Sequence, residues 1–160
     1  MDWLVVTSAE NFASTRSLGF TIQGFKSRHK NKVSRMLPGD RLAYYLKGEG
    51  TFAATCRVKS TVFEGRTRIW RTPRSEAEIY PWRVQIELDA LAPESGRPRA
   101  ADVVAELQFA RKWPREHWRL AFQGMLHALP PSDGSFLCEC LKRSQAGDAL
   151  RQTPDAKVLK

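Results

Sequence analysis

The strongest pattern of apolar and polar positions lies in residues 82–91, where the two kinds of side chain alternate. Val84, Ile86 and Leu88 fall on one side of an extended chain, and the residues between them are polar. Because successive side chains of a strand face opposite ways, this segment predicts a β-strand with one buried face. Four further apolar segments also predict strands, namely residues 3–6, 41–47, 51–63 and 125–129.

Apolar residues at helical spacing mark the helices. Val33, Met36 and Leu37 are spaced i, i+3 and i+4, so the segment 26–37 predicts an amphipathic helix with a cationic outer face. Other helices are predicted over residues 9–18, 100–109 and 135–143, and between Pro114 and Gly124.

Cap residues support the first and last of these helices. Ser8 is suited to the N-cap of helix 9–18, and Gly19 to the position just after its end. Asp133 is a candidate cap for the closing helix. Residues 20–25 and 64–81 show no clear period. The pattern as a whole predicts one mixed α/β domain over residues 1–143, followed by a polar, flexible tail over residues 144–160.

The charge balance is unusual. The 160 residues carry a formal net charge of +9 and a sequence pI of about 9.9. Such an excess favours partners that carry phosphate or another anion. No segment has the roughly 20 apolar residues of a membrane span. The three cysteines and the absence of a secretory signal lead us to expect a reduced, cytoplasmic protein that binds no membrane.

Metal and cofactor motifs are missing from the sequence. Cys138 and Cys140 are separated by one residue, whereas zinc sites usually place two to four between paired cysteines. His29, His117 and His127 form no ligand spacing, and neither a phosphate-binding loop nor a glycine-rich dinucleotide fingerprint occurs. We therefore expect no metal site and no cofactor.

Six short segments carry a resemblance to a known family. They are VTSAENF (6–12), GFTIQGFKSRH (19–29), MLPGDRL (36–42), YPWRV (80–84), RKWP (111–114) and LAFQG (120–124). Together they resemble the EVE-domain proteins of bacteria, over about residues 2–141. The resemblance implies an α+β, PUA-like fold, which is a small, mostly antiparallel β-barrel with helices packed around it.

The resemblance also implies a function. EVE domains are similar to YTH domains, which hold a methylated adenine of RNA in an aromatic cage, and some EVE proteins are thought to read modified cytosine in DNA. The expectation is a non-catalytic module that binds modified DNA or RNA and holds a flipped-out modified base, such as methylated or hydroxymethylated cytosine.

Base reading requires planar side chains for stacking and polar groups for the base edge. Trp70, in an arginine-rich segment, is either a pocket wall or a lid that packs on the barrel. Ser8 is also suited to cap the helix, and Asn11 to bond the backbone of its own turn, whereas the resemblance implies that Asn11 bonds the base, as an Asn of the first helix does in YTH domains. Thr21, Gln23 and Phe25 are included because the corresponding stretch lines the base pocket of YTH domains, and Trp82 is equally suited to packing. The predicted base pocket comprises Ser8, Asn11, Phe20, Thr21, Gln23, Phe25, Trp70, Trp82 and Gln123.

Basic residues near these positions are candidates for phosphate contacts. Arginines border Trp70, so one loop could stack a base and hold its phosphate. The predicted phosphate-binding residues are Lys26, Arg28, Lys30, Arg66, Arg68 and Arg71.

Two other classes of function stay open. Related PUA-like folds include small amidohydrolases that act on modified cytidine, and Thr21, Lys26 and Glu10 could supply their lysine or threonine and acidic partner. A protein-interaction module would instead present an exposed apolar patch.

Overall fold

A single mixed sheet of seven strands carries the fold. The computed structural model describes residues 1–151, with side chains through residue 147. The strands are β1 (Asp2–Thr7), β2 (Ile22–Phe25), β3 (Arg41–Leu46), β4 (Thr51–Val58), β5 (Phe63–Glu64), β6 (Trp82–Leu91) and β7 (Leu126–Leu129). Their order is β2-β6-β4-β3-β1-β7, and β5 pairs with β6 beside this path. β1 and β3 run parallel, whereas the other pairings are antiparallel.

Helices pack around this sheet. The α-helices are α1 (Ala9–Ser17), α2 (Lys30–Val33), α3 (Ala100–Val103) and α4 (Pro131–Arg151). The 3-10 helices are Ser27–His29, Glu94–Gly96, Val104–Glu106, Gln108–Ala110 and Arg115–Phe122. Among the residues described, no helix combines the length and the apolar character that a bilayer crossing needs.

Both faces of the sheet are covered. Along β1, Trp3 and Val5 belong to one buried cluster, and Leu4 and Val6 to a second cluster. The first cluster includes Phe12, Val33 and Trp70, and the second includes Phe122, Leu137 and Leu141. Strands buried on both faces read as continuous apolar runs, which is why β1 and β3 show no alternation in the sequence.

The α+β class is confirmed, with a mixed sheet that curls into a half-barrel and helices around it. The predicted strands correspond to β1, β3, β4, β6 and β7. β4 ends at Val58, five residues before the predicted end, and residues 63–64 form the separate strand β5.

The helix predictions hold less well. Helix 9–18 is confirmed as α1, with Ser8 as its N-cap and Gly19 at a φ of +71°. The basic segment 26–37 is a 3-10 turn followed by the four-residue α2, so the long amphipathic helix predicted there is wrong. Val33 and Met36 are buried as expected, but Leu37 lies outside the helix and is exposed.

The closing helix is longer than predicted. α4 begins at Pro131, four residues early, and continues to Arg151, so residues 144–151 of the predicted tail are helical. Residues 152–160 of the predicted tail lie outside the described part. Asp133 is buried within the first turn of α4, where its carboxylate accepts hydrogen bonds from the backbone N–H groups of Gln108 and Phe109, both at 2.9 Å.

A β-bulge interrupts the alternation predicted for β6. Thr55 pairs with Ala90 and Cys56 with Leu88, so Asp89 is an extra residue on this strand. Bulges bend a strand, and Leu88 is 38% exposed instead of sharing the buried face with Val84 and Ile86.

The segment 20–25, which has no clear period in the sequence, contains the strand β2. Its Gly24 lies directly against the indole of Trp70, which is 1% exposed and belongs to the core. A Cβ at this position would also come within 2.8 Å of the backbone oxygen of Tyr80. The absence of a side chain at Gly24 therefore lets the loop that carries Trp70 close onto β2.

We expect Gly24→Ala to destabilise the protein by about 1–3 kcal/mol, since a methyl group there overlaps the Trp70 ring. Urea unfolding followed by circular dichroism measures the change. Gly147→Ala is the matched control: no atom lies within 4 Å of a Cβ there, and Ala at this position in α4 should stabilise by about 0.5–1 kcal/mol. Equal free energies of unfolding for wild type and Gly24→Ala would contradict the packing described.

Candidate functional site

A cleft with two chambers opens at one edge of the sheet. The first chamber, of about 370 Å³, is lined by Gln123, Phe122 and Arg28 among others, and we call it the Gln123 chamber. The second, of about 350 Å³, is lined by Arg68, Arg71 and Glu76 among others, and we call it the Arg71 chamber. The two chambers share Ser8, Asn11, Lys26, Lys47 and Tyr80, so they form one continuous cleft.

Strand ends bring the shared residues together. β1 and β3 are parallel with Thr7 opposite Leu46, and the N–H of Lys47 donates to the oxygen of Thr7 at 3.0 Å. Parallel strands end at the same edge of a sheet, so Ser8 and Lys47 emerge side by side. Lys26 follows the end of β2.

The amide of Asn11 is used to hold the loop of residues 65–81, which we call the 65–81 loop. Its Nδ2 donates to the backbone oxygen of Arg71 at 2.8 Å, and its Oδ1 accepts from the backbone N–H of Arg71 at 2.9 Å. Both polar atoms are therefore occupied by one peptide segment. Asn11 lines the cleft, and its hydrogen bonds fix the wall of the Arg71 chamber.

Tyr80 places a ring between the chambers. It is 3% exposed and has a φ of +55°, a conformation that non-glycine residues rarely adopt. Its hydroxyl lies 2.8 Å from Oγ1 of Thr72 and donates to the oxygen of Arg71 at 3.3 Å. A backbone conformation of this kind is strained, and it persists only where the surrounding contacts hold the residue in place.

Two further side chains fasten the 65–81 loop. The carboxylate of Glu78 accepts from the N–H and Oγ of Ser27 and from the N–H of Tyr80, at 3.0–3.1 Å. The buried guanidinium of Arg83 donates to the oxygens of Thr67, Ile79 and Tyr80. The loop is thus fastened at several points along its length.

Positive charge dominates the cleft. Its lining contains five cations, Lys26, Arg28, Lys47, Arg68 and Arg71, against the carboxylates of Glu10 and Glu76. Burial, followed by the charges of Lys47 and Arg28, lowers the pKa of Lys26. A group whose charged form is disfavoured in this way gains from an anion placed beside it.

Burial lowers the pKa of both His29 and His127, which line neither chamber. Burial, and then the cations Arg28, Lys32 and Lys26, lower the pKa of His29 to about 4. Its Nε2 accepts a hydrogen bond from Nε of Arg28 at 3.4 Å. Burial also lowers the pKa of His127, whose ring lies 3.8 Å from the position of a Cβ on Gly124.

Seven of the predicted site residues meet in the cleft. Ser8, Asn11 and Gln123 line it from the predicted base pocket, and Lys26, Arg28, Arg68 and Arg71 from the predicted phosphate set. Their contact with a base or a phosphate stays a prediction. Ser8 also accepts the N-cap hydrogen bond from the N–H of Asn11 at 3.1 Å.

Four predicted base-pocket residues belong to the core instead. Trp70 is not a pocket wall, because its ring is buried and its Nε1 donates to Oγ1 of Thr15 at 2.8 Å. Gln23 is 2% exposed, and its Oε1 accepts from Tyr44 and Thr15. Phe20 and Phe25 are buried in the same cluster. These residues line neither chamber.

Four others, Thr21, Lys30, Arg66 and the half-buried Trp82, also line neither chamber. Trp82 donates from Nε1 to the oxygen of Ser27 at 3.1 Å, and Nζ of Lys30 lies 4.7 Å from its ring centroid. Arg66 forms an exposed ion pair with Glu64. Thr21 is exposed and bonds the oxygen of Leu18, so the trio of Thr21, Lys26 and Glu10 considered for hydrolysis does not assemble.

Of the shared cleft residues, Lys47 and Tyr80 are absent from the predicted base-pocket and phosphate-binding sets. Lys47 directly follows a strand whose parallel pairing with β1 cannot be read from apolar periodicity. Tyr80 gave a signal, because it begins the segment YPWRV that carries the resemblance. Within residues 1–151, no group of three or more His, Cys, Asp or Glu could hold a metal ion.

The sequence profile of the EVE domain matches residues 2–124 of this chain. The chain belongs to the EVE-domain family. The match includes all the cleft residues except Met125, and it ends before β7 and α4. The resemblance stated from the short segments is therefore confirmed.

Relatives and solved structures agree with this membership. UPF0310 protein PH1033 of Pyrococcus horikoshii is 26% identical over 141 residues, which cover 82% of this chain and 92% of that protein. The Mmi1 YTH domain complex with RNA has a TM-score of 0.63 at 10% identity, covering 92% of this chain and 82% of that chain. The Pho92 YTH domain in complex with m6A also has a TM-score of 0.63, at 13% identity, covering 88% and 85%. The EVE domain thus shares the YTH fold.

We expect Asn11→Asp to loosen the 65–81 loop, because a carboxylate cannot donate to the oxygen of Arg71 and would face it with like charge. The expected cost is about 1–3 kcal/mol of stability. Trypsin should then cleave faster after the exposed Arg71 and Arg74, as followed by mass spectrometry. Asn31→Asp, at an exposed position of α2, is the matched control. Identical cleavage rates for the two variants would refute this role of Asn11.

A second expectation concerns acid stability. The pKa of His29 is lowered in the folded protein, so the unfolded chain binds the extra proton between about pH 6.5 and 4. The stability held by neutral His29 is complete above pH 6.5 and is lost as the pH falls toward 4. We expect a midpoint near pH 4 in an NMR titration of His29, and a shallower decline in stability for His29→Gln. A midpoint near 6.5 would disprove the assignment.

Proposed function

We propose that this EVE domain is a non-catalytic nucleic-acid-binding module that holds a flipped-out modified base in the cleft. The observation that carries the proposal is the cleft itself, which combines two chambers of base-accommodating size with five lining cations. The YTH domains that share its fold include one in complex with RNA and one in complex with m6A.

The Gln123 chamber offers what base recognition requires. Phe122 and Tyr80 supply aromatic surface, although both rings are largely buried, so only part of each can contact a ligand. Gln123 exposes an amide, which can donate to and accept from a base edge at the same time. The Ser8 hydroxyl, besides capping α1, retains a proton to donate.

The Arg71 chamber offers a path for the backbone of the nucleic-acid strand. Lys26 and Lys47 lie at the junction of the two chambers, and Arg68 and Arg71 line the outer one. Phosphate contacts from such side chains position a strand without reading its sequence. In this arrangement the base enters the Gln123 chamber while its backbone lies along the lysines.

The modification we propose is methylated or hydroxymethylated cytosine in DNA, or a modified base in RNA. The amide of Gln123 suits the edge of either a cytosine or an adenine. Discrimination between DNA and RNA depends on a contact with the 2′-hydroxyl, so the test below uses both DNA and RNA oligonucleotides.

The test is fluorescence anisotropy with labelled single strands of about 12 nucleotides. Each strand carries one plain cytosine, 5-methylcytosine, 5-hydroxymethylcytosine or N6-methyladenine, as DNA and as RNA. We expect one modified strand to bind more tightly than its plain counterpart, with an affinity that falls as salt rises. Equal affinity for all strands would show that the cleft is a general basic groove that does not read the base. Release of a chemically altered base would show that the protein is an enzyme.

Two variants separate base reading from phosphate contact. Gln123→Ala should lower the ratio of modified to plain affinity, with the exposed Gln108→Ala as its control. Lys47→Gln should weaken all strands alike and reduce the salt slope by about 1, with Lys59→Gln as its control. An unchanged affinity ratio in Gln123→Ala would exclude Gln123 as a reader of the base edge.

A further inference from the structure

A third cavity, of about 220 Å³, lies next to the 3-10 helix Arg115–Phe122. Its walls are Trp113, Trp118, Arg111, Arg115 and three small apolar side chains. None of these residues lines the cleft, although Phe122 of the same helix does. The helix therefore contributes to two separate cavities.

Two indoles give this cavity planar walls. The Trp118 ring stands at 90° to the Phe122 ring with 5.7 Å between centroids, so a wall of this cavity packs against a wall of the Gln123 chamber. The guanidinium of Arg119 lies 4.5 Å from the Trp118 centroid. Indole faces flanked by guanidinium groups are the surfaces on which single-stranded bases stack.

The charge around the cavity favours an anionic ligand. Residues 104–119 contain four cations, Arg111, Lys112, Arg115 and Arg119, against the carboxylates of Glu106 and Glu116. In the described part of the chain none of the four cations forms an ion pair within 4 Å. Arg111 and Arg115, which line the cavity, are both exposed and able to meet a phosphate.

The cavity wall is formed before any ligand binds. Buried Asp133 holds the backbone N–H groups of Gln108 and Phe109, and the N–H groups of Arg111 and Trp113 close the following turns at 3.1 Å. The cavity, at about 220 Å³, is smaller than the roughly 300–1,000 Å³ of sites for drug-sized ligands. A ligand that fits it therefore has a single ring system.

We propose that this cavity is a second nucleotide subsite, which takes one unmodified base of the same strand against the indoles and its phosphate on Arg111 and Arg115. The subsite rests on the proposed function only in that the ligand is a nucleic acid. Because it makes no contact with the modified base, it adds affinity to plain and modified strands equally.

The experiment compares Arg115→Glu with Arg143→Glu, which makes the same change of charge at an exposed position outside all three cavities. Anisotropy titrations use the full chain with the plain and modified strands at several salt concentrations near 0.15 M, where the screening length is about 8 Å. We expect Arg115→Glu to bind both strands at least ~5-fold more weakly than Arg143→Glu, with a salt slope lower by about 1.

Each result bears on one proposal. Equal affinities of Arg115→Glu and Arg143→Glu would overturn the subsite while leaving the cleft proposal intact. A change in the ratio of modified to plain affinity in Arg115→Glu would also overturn it, because the residue would then act on base reading. If wild type bound no strand at all, the proposed function itself would fail.

A second variant tests the indole. Trp113→Leu keeps an apolar side chain but removes the flat ring, so it should weaken both strands by about 5-fold or more, the equivalent of one lost stacking contact with a base. Circular dichroism and thermal unfolding check that the variant is folded. A folded Trp113→Leu protein with wild-type affinity would contradict the stacking assigned to this indole.

Discussion

The parallel pairing of β1 with β3 determines where the cleft forms. Antiparallel neighbours would send Ser8 and Lys47 to opposite edges of the sheet, whereas the parallel pair releases both at the same edge. α1 then begins at that edge, capped by Ser8, and places Asn11 one turn inside the cleft. The direction of the strands therefore determines which side chains lie together in the cleft, whatever the chemistry of those side chains.

The outer wall of the cleft depends on contacts between the 65–81 loop and the body of the domain. Trp70 fills the space left by Gly24, Arg83 ties three backbone oxygens, and Glu78 joins the loop to Ser27. A loop rich in arginine would repel itself if it were free in water. Because the loop is fastened to the body of the domain, Arg68 and Arg71 line the cleft, and within residues 1–147 neither forms an ion pair.

The sequence predicted what depends on local pattern and failed where partners are remote. The alternation in 82–91 and the Ser8 cap identified β6 and α1 with nearly the right bounds. Trp70 looked exposed because its own neighbours are polar, yet its contacts come from Gly24 and Thr15, about fifty residues earlier. Gln23 and Asn11 were assigned to the base pocket from the family resemblance, and the structure shows both amides occupied by groups remote in the sequence. The fold could be predicted from the family resemblance, whereas the exposure of individual side chains could be read only from the structure.

Phe122 has a consequence for how the two cavities bind ligands. Its ring lines the Gln123 chamber and packs edge-on against Trp118, which lines the third cavity. The Phe122 ring also packs against Tyr45, Phe52 and Phe109, with centroids 4.1–5.9 Å away. A ring held on several sides in a close-packed interior keeps its place when a ligand enters either cavity. The wall between the two cavities is therefore rigid, and the free energies with which they bind two parts of one ligand add independently.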